Sequence, residues 1–188
     1  MDVGQAQQFV LEGVERTSRI LQAHADSRTA IAEKLRAEFR NGFDIATIAN
    51  FALGAARAQM SEDQRKAYVR EFEELIVQTY TSRVIHYGPR VTGNISDIIR
   101  FTGHTPITDD QVMLHSRVNR KAADWVGIDW RVRRKQGRFL IIDIVILGIS
   151  QATLYKSEIG AVVQQNGRGV DGLVDALRKK SAAIRSGG

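Results

Sequence analysis

The stretch Arg138 to Ser150, RFLIIDIVILGIS, constrains the fold of this chain more than any other. Side chains on a strand alternate between its two faces, so Leu140, Ile142, Ile144 and Ile146 fall on one side and Phe139, Ile141, Val145 and Leu147 on the other. Both faces are apolar. Such a strand has to be covered twice, whereas an ordinary two-layer core needs a single cover. The second cover is either more of the protein or an apolar ligand.

The segment before it, Trp125 to Lys135, supplies a partner. Val126, Ile128, Trp130 and Val132 face one way and Asp129, Arg131 and Arg133 the other, and Lys135-Gln136-Gly137 turns this strand into the next as an antiparallel hairpin. Val91 to Phe101 and Gln111 to Asn119 carry the same period of two, separated by a turn over Gly103 to Asp110 that contains Pro106. The expectation is a twisted antiparallel sheet of about four strands.

Helical periods surround it. Residues 5 to 40 read as helix with a break at Asp26-Ser27; Phe9, Gly13, Thr17 and Ile20 form one stripe, Ile31, Leu35 and Phe39 another. Asn41-Gly42 closes this run, and Asp44 caps a short helix that ends at Gly54. Ser61-x-x-Gln64 has the spacing of a capping box. It opens the longest helix, whose stripe Tyr68, Phe72, Leu75, Ile76, Thr79, Tyr80, Val84 and Tyr87 runs to Gly88-Pro89. Helices over Leu154 to Gln165 and Asp171 to about Ile184 finish the chain. The fold class is α+β, with helices packed against the sheet. A single domain over residues 1–188 is expected: an N-terminal helical part, 1–60, then the long helix, sheet and C-terminal helices of 61–184.

Composition sets limits on function. Hydrophobic residues at 43% and charged residues at 26% describe a globular protein. No apolar run reaches the ~18 residues of a membrane-spanning helix. The start, MDVGQAQQF, lacks the basic and apolar segments of a secretion signal, so the chain reads as cytoplasmic or as the mature part of an exported protein. The absence of cysteine excludes disulfides and thiolate metal sites. A net charge of +6 favours an anionic partner, nucleic acid or an anionic lipid surface.

Catalytic apparatus is sparse. His24, His86, His104 and His115 show no three- or four-residue spacing, so neither a metal site nor a cofactor is expected. A Gly-x-Ser-x-Gly elbow and a catalytic cysteine are both missing. Asp143, between Ile142 and Ile144, is the best lone candidate for acid-base work, as in an enzyme of small apolar substrates. Its alternatives are an ion pair with Arg131 or Arg133, or exposure at the end of the sheet. Gly167 to Gly172 resembles a phosphate-cradling loop but follows a helix where those motifs need a strand, so it reads as a helix break. Arg131, Arg133, Arg134, Lys135 and Arg138 would contact phosphate, yet no aromatics alternate with them, which points to a solvated sheet edge.

Several landmarks occur together in a specific order: Phe43-Asp44, Ala52-Leu53-Gly54, Ser61-x-x-Gln64 with Tyr68, Phe72, Tyr80 and Tyr87, then Asp129-Trp130, Ile142-Asp143, Gly148-x-Ser150 and Gly169-x-Asp-Gly-Leu173-x-x-x-Leu177. From about Ile31 to Lys180 the chain thereby resembles the MlaC-type toluene-tolerance family of periplasmic phospholipid-binding proteins, which includes hopanoid-associated relatives. The departures are Phe139 where that family typically has tryptophan and Lys156 where arginine is common. The resemblance implies a non-enzymatic carrier, with a lipid cavity between sheet and helices. It also implies an inner-membrane transporter with MCE domains and an outer-membrane lipoprotein complex as partners, and a signal peptide already removed. Within that frame, periodicity puts Phe51, Phe72, Ile76, Tyr80 and Tyr87 on one wall of the lipid-binding pocket. Ile128, Trp130, Ile142, Ile144 and Ile146 form the other. A phospholipid, or a related lipid such as a hopanoid, is the expected ligand of what is expected to be a monomer.

Overall fold

The computed structural model describes residues 1–24, 27–87, 94–119, 125–165 and 167–186, with Tyr87 described for its backbone alone. Five antiparallel strands follow one another in order: β1 (Ile99–Thr108), β2 (Gln111–Asn119), β3 (Trp125–Lys135), β4 (Arg138–Ile146) and the two-residue β5 (Ile149–Ser150). Helices α1 (Val3–Ala23), α2 (Arg28–Gly42), α3 (Ile45–Leu53) and α4 (Glu62–Tyr87) precede the sheet, with the single turn α5 (Ile95–Ile98) leading into it. Helices α6 (Gln151–Gln165) and α7 (Val170–Ser186) follow. The class is α+β, and the fifth strand exceeds the expected four.

Local chemistry accounts for the helix ends. Asp2, Ser27 and Asp44 each accept a hydrogen bond from a first-turn backbone N–H of α1, α2 and α3. The capping box before α4 closes reciprocally: Gln64 Oε1 accepts from the Ser61 N–H at 2.7 Å, and Ser61 Oγ from the Gln64 N–H at 3.2 Å. The Gly88-Pro89 stop, residues 91–93 and Asp26 lie outside the described residues.

The strands depart from the expected pattern in three places. Gly103 to Thr108 are strand and not turn, with the chain reversing at Asp109-Asp110. Pro106 is tolerated there because β1 is an edge strand, where a missing N–H breaks no ladder. Second, the apolar stretch does not run unbroken to Ser150. Leu147 and Gly148 take φ of 51° and 82°, the positive values a two-residue hairpin turn requires, and fold Ile149-Ser150 back onto β4 as β5.

Third, β4 carries a bulge. Asp143 pairs with Arg131 and Ile141 with Val132, which leaves Ile142 without a partner on β3. An inserted residue reverses the alternation. Phe139 and Ile141 therefore share the inner face with Ile144 and Ile146, although a strict period of two sets them apart.

Burial is concentrated in two clusters. One is helical, built by α2, α3, α4, α6 and α7 around Tyr68, Phe72, Leu75 and Leu177. The other packs α1, through Ala6 and Val10, on the inner sheet face at Ile99, Val112, Leu114 and Val132. Domains usually show one contiguous core plus minor satellites. Here two substantial clusters face each other across a gap.

Candidate functional site: an apolar cavity between two cores

The gap is a cavity of about 550 Å³, within the size range of small-molecule pockets. Its sheet wall comprises Val118, Val126, Ile128, Trp130, Ile141, Ile144 and Ile146. Helix α1 closes it with Phe9, Val10, Gly13, Val14 and Thr17, α2 with Leu35 and Phe39, and the last turns of α4 with Tyr80 and Val84. Leu147, Ile149 and Leu154 also line it and are 72%, 59% and 37% exposed, so the cavity reaches the surface beside the β4–β5 turn.

Polar groups on this lining are already partnered or few. Trp130 Nε1 donates to Ser116 Oγ at 3.0 Å, and that hydroxyl donates to the Ile128 carbonyl, so the indole presents hydrocarbon to the cavity. Phe39 packs edge-on to Phe43 at 5.2 Å between ring centroids and against Tyr80 at 5.7 Å, fixing an aromatic corner. Burial pushes the Tyr80 phenol far above its usual range, keeping it neutral. Arg16 Nε is paired with Glu38 Oε2 at 2.7 Å, and Arg83 Nη1 donates to Gln151 Oε1 at 3.0 Å.

Of the residues expected on the walls, Tyr80, Ile128, Trp130, Ile144 and Ile146 line this cavity. Phe72 and Ile76 do not. They sit two turns and one turn earlier on α4, inside the helical cluster, where Phe72 packs against Tyr68 and Tyr155. Phe51 is 47% exposed on α3, with the Lys156 ammonium 5.1 Å above its ring. Ile142 is the bulge residue, away from the lining, and the Tyr87 side chain is outside the described residues. The contribution of α1 was visible as a stripe through Phe9, Gly13 and Thr17, but nothing in that stripe distinguished a cavity wall from a core face.

Asp143, considered above for acid-base work, accepts two local hydrogen bonds. Its Oδ2 accepts from Ser150 Oγ at 2.6 Å and its Oδ1 from the Ala152 N–H at 3.0 Å, so the carboxylate caps the start of α6. Neither arginine considered as its partner pairs with it. Arg131 donates twice to Gln111 Oε1, at 3.1 and 2.8 Å, and Arg133 is paired with Asp110. Lys135 reaches Asp44 at 3.0 Å and Arg138 the Asn41 carbonyl at 3.4 Å, so the basic hairpin ties the sheet to the α2–α3 junction. Among the described residues no group of His, Cys, Asp and Glu side chains is placed to hold a metal ion, and no helix is long and apolar enough to cross a membrane.

A search of curated proteins finds no match to the chain. Among solved structures, the phospholipid-binding protein from Ralstonia solanacearum, solved in complex with a phospholipid, is similar at a TM-score of 0.81, covering 96% of this chain and 98% of that one at 20% identity. At that identity the likeness establishes a shared fold. The family profile described as MlaC protein matches residues 12–179, almost the whole sheet-and-helix body that encloses the cavity. On that match, the chain belongs to the MlaC family.

Proposed function

We propose that this protein is a non-enzymatic phospholipid carrier of the periplasm, holding acyl chains in the cavity between α1 and the sheet and passing lipid between inner- and outer-membrane complexes as a monomer. The observation that carries the reading is an apolar cavity of about 550 Å³, open beside exposed Leu147 and Ile149, where a continuous core would otherwise form. Membership of the MlaC family supports it, as does the shared fold of a protein solved with a phospholipid. Both Asp143 oxygens accept hydrogen bonds at the start of α6, which supports binding over catalysis. In this reading Ile128, Trp130, Ile144, Ile146 and Tyr80 contact the tails.

The energetics suit a carrier. Burying a methylene from water stabilises by about 0.8 kcal/mol. A lipid in a bilayer is already out of water, so exchange between membrane and cavity is close to balanced. Direction then comes from partners that bind the loaded and empty forms differently, here an inner-membrane transporter with MCE domains and an outer-membrane lipoprotein complex.

The test is organic extraction of the purified protein followed by mass spectrometry. Phospholipid near one per chain is expected. A hopanoid or other neutral polycyclic lipid in its place would move the ligand to that class, and a lipid-free protein that takes up none from vesicles would sink the proposal.

A further inference from the structure

Hydrocarbon needs no charge beside it, yet the cavity wall carries one that pairs with no carboxylate among the described residues. Arg16, Glu38 and Arg83 are the charged residues on the lining among those described. Arg16 and Glu38 cancel each other at 2.7 Å. Arg83 has no carboxylate within ion-pairing distance among the described residues, and of its five N–H donors only one has a protein partner, the neutral amide oxygen of Gln151 at 3.0 Å. Its remaining N–H donors sit on a half-buried side chain at the lining, where an anion can take the place of water.

The surroundings hold this group in place without quenching it. The guanidinium carbon lies 5.3 Å from the centre of the Tyr80 ring, which backs it through its π face. Gln151 is 7% exposed and is itself anchored, since its Nε2 donates to the Ile149 carbonyl at 3.0 Å. An amide at that position orients the guanidinium and leaves its charge intact, where glutamate would cancel it. Through Ile149 the arrangement is tied to the exposed rim at Leu147 and Ile149, where the cavity reaches the surface.

We propose that Arg83 is the anion-recognition residue of this cavity, taking a phosphodiester by charge-assisted and bidentate hydrogen bonds. This inference rests on the carrier reading above and narrows it. The phosphate next to glycerol is common to all phospholipids, so Arg83 selects phospholipid over neutral lipid while leaving the rest of the headgroup free to vary.

The test measures preference as well as uptake. Delipidated full-length protein is incubated with vesicles of phosphatidylethanolamine and phosphatidylglycerol containing an equal amount of diacylglycerol with the same chains, and bound lipid is counted by mass spectrometry. Wild type should favour phospholipid. Arg83→Met should lose at least about tenfold of that preference, the lower end expected for charge-assisted hydrogen bonds to the phosphate, with diacylglycerol uptake unchanged. Arg83→Lys, which keeps the charge and loses the bidentate fork, should keep only part of it. Gln151→Glu, which retains the guanidinium and pairs it, should lose preference as Arg83→Met does, so the result does not depend on one variant folding. A preference unchanged in both Arg83→Met and Gln151→Glu overturns the assignment and leaves the carrier reading standing. Wild type that takes up neither lipid overturns both. Titration of the delipidated protein with inorganic phosphate separates the two sources of the anion: millimolar or weaker binding is expected for a headgroup subsite, and binding as tight as that of phospholipid would make this a free-anion site and refute the proposal.

Discussion

Gly13 offers a way to close the cavity while making the fold more stable. It lies within α1 on the cavity lining, and a Cβ built there would meet nothing nearer than the Arg16 guanidinium at 3.9 Å. Gly13→Leu therefore adds four carbons at the cavity wall. At roughly 30 Å³ per water-sized group, a cavity of 550 Å³ holds on the order of 18 methylenes, close to one acyl chain. Four displaced methylenes at about 0.8 kcal/mol each weaken loading by ~3 kcal/mol, or about a hundredfold. Gly13→Ala displaces one and should cost roughly fourfold.

Stability moves the other way. Replacing an interior helical glycine with a good helix former gains up to ~1 kcal/mol, which raises Tm by about 2–4 °C in a chain of this length. Gly160 on α6 is equally open but lies off the cavity, so Gly160→Ala should give a similar thermal gain with loading unchanged. The assay is lipid per chain after equilibration with vesicles, paired with melting of the delipidated protein. Gly13→Leu that melts higher and still loads within twofold of wild type would refute the assignment of this cavity to lipid.

Other outcomes follow from individual contacts. Burial alone would push the Asp44 carboxyl up, but hydrogen bonds from Lys135 and Thr47 outweigh it and hold its pKa below 3.8. Its stabilisation is therefore present above pH ~4 and lost as pH falls through the lower folded value. Asp44→Asn keeps a helix cap and loses the charge, so it should be less stable by about 1–2 kcal/mol at pH 7 and no different from wild type in acid, as read from urea melts across pH. Phe72→Ala should cost about 3–5 kcal/mol in a urea melt, because Phe72 is fully buried among Tyr68 and Tyr155, whereas exposed Phe51→Ala should stay within about 0.5 kcal/mol with lipid loading intact. Leu147 pairs a positive φ of 51° with 72% exposure, both unfavourable for leucine. Leu147→Asn should raise Tm and slow lipid uptake from vesicles, and faster uptake would remove the turn from the entry route.

The helices and most of the sheet were legible because their signals are local. The Ser61–Gln64 box, the Asp44 cap and the Lys135–Gly137 turn each act within a few residues, and each is found where its spacing places it. The long stripe of α4 was legible as a buried face but not as two environments. Phe72 and Ile76 meet other helices, while Tyr80, one turn on, meets the cavity. Periodicity reports that a side chain is covered and is silent about what covers it.

The bulge at Ile142 was beyond reach for a related reason. Alternation assumes that every residue of β4 pairs with one of β3, and a single unpaired residue exchanges the faces on one side of it. No glycine or proline marks the position. In a strand apolar on both faces, a shifted register leaves the hydrophobic pattern looking the same, so composition cannot reveal it. The cavity is further still from any local signal. It lies where α1 packs on β1–β3, some 100 positions away in sequence, while the helical cluster meets the sheet at β4. A gap of that kind is a difference between two packed volumes, and neither cluster carries a mark of it. Arg83 stands at i+3 from Tyr80 but outside the stripe that the periodicity picks out, so the sequence did not mark it. Its meaning depends on Gln151 and on there being no carboxylate within ion-pairing distance among the described residues, and both become evident only once α6 is set beside α4.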